Sequence, residues 1–156
     1  LINGSEGERF GGVKPHEAWA GSTAWIKHFE KLGIQQVLTS RPAFHTKDEH
    51  EAFLDVAIEN GWRSAALLAQ PTQILRVMLG QVKSCIDRSY PMRLYAAYPE
   101  RNDWEKSVCG TQGSAELPRW THAQLDALRI AAYWYKGDIV SPAELLTYLS
   151  HREEIV

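Results

Sequence analysis

The chain has 156 residues, the length of one ordinary domain, and its 44% hydrophobic and 23% charged composition excludes extensive disorder. A net charge of −2 and a pI of about 6.3 exclude the broadly basic surface of a general nucleic-acid binder. Two cysteines, Cys85 and Cys109, stand in no C-x-x-C spacing, which argues against a zinc site or a disulfide framework, and no apolar run reaches the roughly 18 residues of a membrane span.

In chain order, residues 1–3 (LIN) read as the end of a strand and residues 4–12 (GSEGERFGG) as a glycine-rich loop. Residues 16–33 place Trp19, Trp25, Ile26, Phe29 and Leu32 near helical spacing, with Gly33 as the stop. Residues 35–40 (QQVLTS) predict a short strand, and 46–61 an amphipathic helix ending at Asn60-Gly61. The continuous apolar run 64–70 (SAALLAQ) predicts a strand covered on both faces. Residues 71–87 predict a helix with Pro71 at its start, where a missing N–H costs nothing.

Residues 93–99 predict a further strand, and 100–118 a long polar loop of the kind that compact domains keep for a use. Two helices follow, 119–136 with Leu125, Leu128, Ala132 and Tyr135 at helical spacing, and 142–152 after Ser141-Pro142. The expectation is a single α/β domain: a βα core (1–100), a loop (101–118) and C-terminal helices (119–156). Strands separated by helices of this length imply βαβ units and a mainly parallel sheet. The chain opens at Leu1 rather than Met and shows no signal peptide; the expectation is a cytoplasmic chain that residues once preceded.

In an open parallel sheet, ligands bind beyond the carboxyl ends of the strands, where helix N-termini offer free N–H groups and the positive end of a dipole. Gly4, Ser5 and Glu6 would reach that edge after strand one, and Ser40 to Thr46 after strand two. Gln70, Thr72 and Gln73 would follow strand three, with Arg76 one turn into the next helix. The glycine-rich loop fits neither G-x-G-x-x-G nor the P-loop, so it is either a connection or backbone brought close to a ligand. Arg76 could hold a phosphate or carboxylate through two hydrogen bonds, or pair as a surface cation with a nearby acid.

The stretch TSRPAFHTKDEHEAFL (39–54) carries the densest chemistry. Thr46 and Glu49 fit the S/T-x-x-E capping box, which is the first reading of the pair; the alternative is that Glu49 orients a polar ligand group or acts as acid/base. His45 and His50 are five apart, not the four of H-E-x-x-H, so no metal is expected there.

The glycine-rich loop after strand one, HTKDEHEAF opening the second helix, and then SAALLAQPTQILRVMLG make residues 1–85 similar to the YdcF-like family. This family is also called domain of unknown function 218, with SanA and ElyC among its relatives. Its members show an N-T-x-E-N-like segment at the second helix and T-x-x-x-H-x-x-R after the third strand. Thr46 matches the family threonine, Asp48 and Glu49 fall on the acid and the asparagine, and Arg76 matches the arginine. Gln73 replaces the family histidine.

The resemblance implies a bacterial protein with a Rossmann-like three-layer α/β/α sandwich and additional C-terminal helices. It fixes no reaction. It leaves S-adenosylmethionine as a candidate cofactor, since one member is reported to bind it, and a link to envelope maintenance through the anchored members.

The expected ligand is therefore a small anionic or nucleotide-like molecule, with neither nucleic acid nor membrane as partner. Glu49 and His45 are the expected catalytic pair. Gly4, Ser5, Glu6, Thr46, Gln70, Thr72, Gln73 and Arg76 would line the site. The competing expectation is a non-catalytic module that binds a partner through Trp134, Tyr135 and the loop around Trp104. A metal hydrolase ranks third.

Overall fold

Helix α3 (Ile74–Asp87) is the axis of the fold in the computed structural model, which describes residues 1–6, 21–98, 103–109 and 116–155. The expected glycine-rich loop beyond Glu6, the start of the first helix, and parts of the loop between 99 and 115 lie outside the described residues. Within them the fold is mixed α/β, with five α-helices and two small sheets.

Strand β1 (Ser64–Leu68) and strand β2 (Arg93–Ala97) pair in parallel, from Ser64 opposite Arg93 to Leu68 opposite Ala97, and α3 is the crossover between them. Met78, Leu79, Val82 and Cys85 of α3 pack with Leu67, Leu94 and Met92 on one side. They meet Leu54 and Ala57 of α2 (Thr46–Glu59) on another. Ile139, Val140 and Leu145, leading into α5 (Pro142–His151), close this core. Fully burying a Leu or Val side chain stabilises by about 1.5–3 kcal/mol, so this cluster is a main favourable contribution to folding.

Helix α5 starts with a complete capping box. Glu144 N–H donates to Ser141 Oγ (3.2 Å), and Ser141 N–H donates to Glu144 Oε2 (2.7 Å). The helix is clamped to β2 by Tyr148, whose hydroxyl donates to Met92 O and accepts from Leu94 N–H, both at 2.7 Å.

Four expectations change. The strand read at 64–70 ends at Leu68, and among the described residues one of its faces is buried and the other exposed. Side chains alternate along a strand, so α3 buries Leu67, whereas Ser64, Ala66 and Leu68 face outward, Leu68 at 76% exposure. A continuous apolar run does not report which faces are covered.

The strands read at 1–3 and 35–40 reduce to a single parallel bridge between Ile2 and Thr39, held by Ile2 N–H to Leu38 O (3.0 Å) and Ser40 N–H to Ile2 O (2.9 Å). The polar loop contains an antiparallel pair, β3 (Ser107–Cys109) with β4 (Glu116–Pro118).

Helix α4 (Arg119–Lys136) turns the other face inward. His122 and Asp126 are buried and Ile130 and Tyr133 half-buried, while Leu125, Leu128 and Tyr135 are exposed. Both stripes have helical spacing, and a charged partner for Asp126 decides between them. Within the expected span 16–33, of which 16–20 lie outside the described residues, helix α1 covers Ser22–Lys31.

Gly80 shows how closely α2 and α3 approach. A Cβ there would overlap the His50 imidazole, whose Nδ1 shares a 3.0 Å hydrogen bond with Gln81 Oε1. Overpacking of this kind costs about 1–3 kcal/mol. Gly80→Ala is expected to lose that much stability in urea denaturation, and to lose clearly less in a His50→Ala background. Equal losses in both backgrounds would place the strain elsewhere.

Candidate functional site

The edge is built upward from Asn3. Its Nδ2 donates to Ala43 O (2.7 Å) and Glu49 Oε1 (3.0 Å), and its Oδ1 accepts from the N–H groups of Ser5 (3.0 Å) and Ala43 (3.2 Å). One amide thus ties the first loop, the 40–45 loop and α2 together. Gly4 is glycine because a Cβ would overlap the Ser40 carbonyl. Ser5 is fully buried, and its carbonyl accepts from Ser22 N–H at 2.9 Å.

Glu6 caps α1. Its Oε1 accepts from Ser22 Oγ, from Thr23 N–H (3.0 Å) and from Thr23 Oγ1 (2.9 Å), and these bonds, Ser22 first, hold its carboxyl below the ordinary value. Gly4, Ser5 and Glu6 therefore make internal contacts that shape the edge where the sequence reading also expects a ligand.

The Thr46/Glu49 capping box does not form. His45, extended and exposed, is the N-cap of α2, and Thr46 is the first helical residue. Thr46 Oγ1 instead accepts from Arg76 Nη1 at 2.8 Å, and Glu49 is taken by Asn3. Loss of water around the Glu49 carboxyl raises its pKa, against the Asn3 hydrogen bond and the positive field of Arg76, although the residue keeps solvent contact at the rim.

Arg76 is buried, which sets aside the alternative of a surface cation. Its Nε donates to Asp126 Oδ1 at 2.8 Å, and its guanidinium lies 5.7 Å from the centre of the Tyr133 ring. Beside it is a cavity of about 20 Å³ lined by Thr46, His50, Arg76 and Tyr133 and bounded by Lys47 and Asp138, which pair at 2.7 Å. That volume admits one water. His50 is buried against it, and desolvation lowers its pKa to about 4, so the imidazole stays neutral at physiological pH.

The helix starts differ. Helix α1 is capped by Glu6 and α5 by its capping box. At α4, Arg119 and Trp120 N–H donate to the carbonyls of Lys106 and Trp104, both at 3.2 Å. Among the described residues, neither His45 at the start of α2 nor Gln73 at the start of α3 makes a side-chain cap. At α3, the exposed Gln70 offers its carbonyl to Gln73 N–H (2.8 Å) and Ile74 N–H (3.1 Å), with Thr72 buried below and Gln73 as N-cap.

The structure thus joins Thr46 directly to Arg76 and sets Glu49 within the field of Arg76. It leaves Gly4, Ser5 and Glu6 in a neighbouring knot. Asp126 and Tyr133 were missed as partners of Arg76. The signal for Asp126 was an acid on one stripe of α4 in line with His122, Ile130 and Tyr133.

Among the described residues no group of three or more His, Cys, Asp or Glu side chains could hold a metal ion, and no helix is long and apolar enough to cross a membrane. Compared with family models, curated proteins and solved structures, the chain matches none.

Because the folded-state pKa of Glu49 lies above its ordinary 4.5, its ionised form burdens the folded state. The stability this group contributes is full below 4.5 and lost as pH rises through the folded pKa. Glu49→Gln keeps an oxygen for Asn3 and removes the charge. It is expected to raise the Tm at pH 7, with the gain vanishing as the pH falls below about 4.5, read from thermal melts across pH. An unchanged or lower Tm at pH 7 would contradict this.

Proposed function

We propose that the chain is a small-molecule-binding α/β protein of the YdcF-like kind, with an anionic or nucleotide-like ligand held where the N-termini of α2 and α3 meet. S-adenosylmethionine is one candidate. The observation that carries the reading is that the N-cap residues of these two adjacent helices, His45 and Gln73, make no side-chain cap among the described residues, and that the helices are bridged by the Arg76–Thr46 hydrogen bond. The dipole ends of both helices, with the first-turn N–H groups of α2, favour negative charge at that point, although Gln70 O already takes the Ile74 N–H of α3.

His45, Thr46, Gln70, Thr72 and Gln73 surround the ligand in this reading, and Arg76 lies beneath it. Glu49, a carboxylate kept at a cost to stability, orients a polar ligand group or serves as acid-base with His45. Gln73 in place of the family histidine moves any base function to these two residues. The Ile2–Thr39 bridge and the β1–β2 pair would belong to one sheet of a Rossmann-like three-layer sandwich.

A second reading, a non-catalytic partner-binding module, is favoured by the outward face of α4, where Leu128, Trp134 and Tyr135 are 70%, 57% and 93% exposed. Mutating that face and comparing ligand shifts with pull-downs separates the two readings.

Thermal-shift screening against nucleotides, S-adenosylmethionine and sugar phosphates is expected to find at least one ligand that raises the Tm. His45→Asp supplies α2 with a carboxylate cap worth about 0.5–2 kcal/mol. It should raise the unliganded Tm and abolish the ligand shift. No stabilising ligand, or a full shift in His45→Asp, would overturn the placement.

A further inference from the structure

We infer that Asp126 is a displaceable internal occupant of an oxyanion receptor built on Arg76, and that α4 is the lid that carries it. The inference rests on the ligand placement proposed above and concerns how that site opens.

Asp126 fits Arg76 poorly. An arginine and a carboxylate that match engage through two parallel hydrogen bonds. Here a single oxygen, Oδ1, accepts from Nε at 2.8 Å and also faces Arg129 Nη1 at 3.7 Å. The other, Oδ2, is buried without a hydrogen-bond partner among the described residues, although Asp126 is only 2% exposed. A buried charged oxygen left unpaired is costly. An anion with more oxygens would use the receptor better. It could take the guanidinium, the first-turn N–H groups of α2, and the proton of the Thr46 hydroxyl, whose oxygen already accepts from Arg76.

Such an anion cannot enter while α4 is in place, because the space beside Arg76 holds about 20 Å³, one water. The lid is shallowly seated. Leu125 and Leu128 point outward, and the inward stripe is His122, Asp126 and the half-buried Ile130 and Tyr133. The ties from the α4 region to α2 and α3 include two ion pairs, Arg76–Asp126 and, just past the helix, Lys47–Asp138. The β3–β4 pair travels with α4, since His122 Nε2 hydrogen-bonds Val108 O at 2.9 Å. Gly137, at φ 74°, follows the last turn and supplies a hinge.

The test uses the full chain with inorganic phosphate and adenosine monophosphate as probes, the two arms separating a free phosphate from a nucleotide phosphate. Calorimetry on the native chain is expected to show weak binding. Asp126→Asn removes the competing charge and should tighten it about tenfold, because the receptor is no longer occupied. Arg76→Gln added to Asp126→Asn should abolish it. Phosphate should also speed amide exchange over residues 119–136 of the native chain.

If the native chain binds and Asp126→Asn binds no tighter, the latch is wrong and the ligand placement stands. If neither chain binds either probe, both fall. Should Asp126→Asn not fold, exchange in the native chain decides: faster α4 exchange with phosphate supports the latch, and unchanged or slower exchange overturns it.

Discussion

The guanidinium of Arg76 is a full positive charge withheld from water, and a buried charge is tolerated only when its neighbours replace the lost hydration. Asp126 supplies the counter-charge, Thr46 a hydroxyl oxygen and Tyr133 a ring face. These come from α4 and α2, and the charge itself from α3. Three helices therefore meet at one side chain in the unliganded protein. Removing one partner would leave the rest paying an uncompensated desolvation cost, which for broken buried pairs is about 3–5 kcal/mol.

That constraint explains the local sequence. The Thr46 hydroxyl accepts from Arg76 and Thr46 is already helical, so His45 is left as the N-cap of α2, and its side chain makes no cap. Glu49 is drawn to Asn3, which also fixes the 40–45 loop. Gly80 lets α2 and α3 come close enough for His50 to reach Gln81, next to the turn that carries Arg76. A polar cluster thus stands on top of the apolar core of Leu54, Leu79, Val82 and Leu94, and it faces the edge where the helix starts converge.

Much of this framework was legible. The helices over α2, α3, α4 and α5 and the strands β1 and β2 follow from periodicity and from turn residues, because each buries a stripe or face of its own. What was not legible depended on choices between equal local options. The pattern S/T-x-x-E occurs at Thr46/Glu49 and at Ser141/Glu144. It forms a capping box at the second and not at the first, where Arg76 and Asn3 compete for the same oxygens.

The sequence reading of α4 follows the Leu125, Leu128, Ala132 and Tyr135 stripe, and a charge pairing 50 residues away in sequence turns the His122–Asp126 stripe inward instead. The candidate site divided for the same reason. Thr46 and Arg76 were read correctly as neighbours, whereas Glu6 was claimed by α1, a helix start that local spacing did not reveal.

In the unliganded protein the Arg76 guanidinium is sequestered by Asp126. Nitrogen-resolved NMR of the arginine side chains tests it directly, with the Arg76 Nε–H signal assigned by its loss in Arg76→Gln. The account predicts that this proton exchanges with water far more slowly than those of exposed arginines such as Arg41 and Arg129. Exchange as fast as theirs would mean that the buried pair, and the arrangement of helices built on it, does not persist in solution.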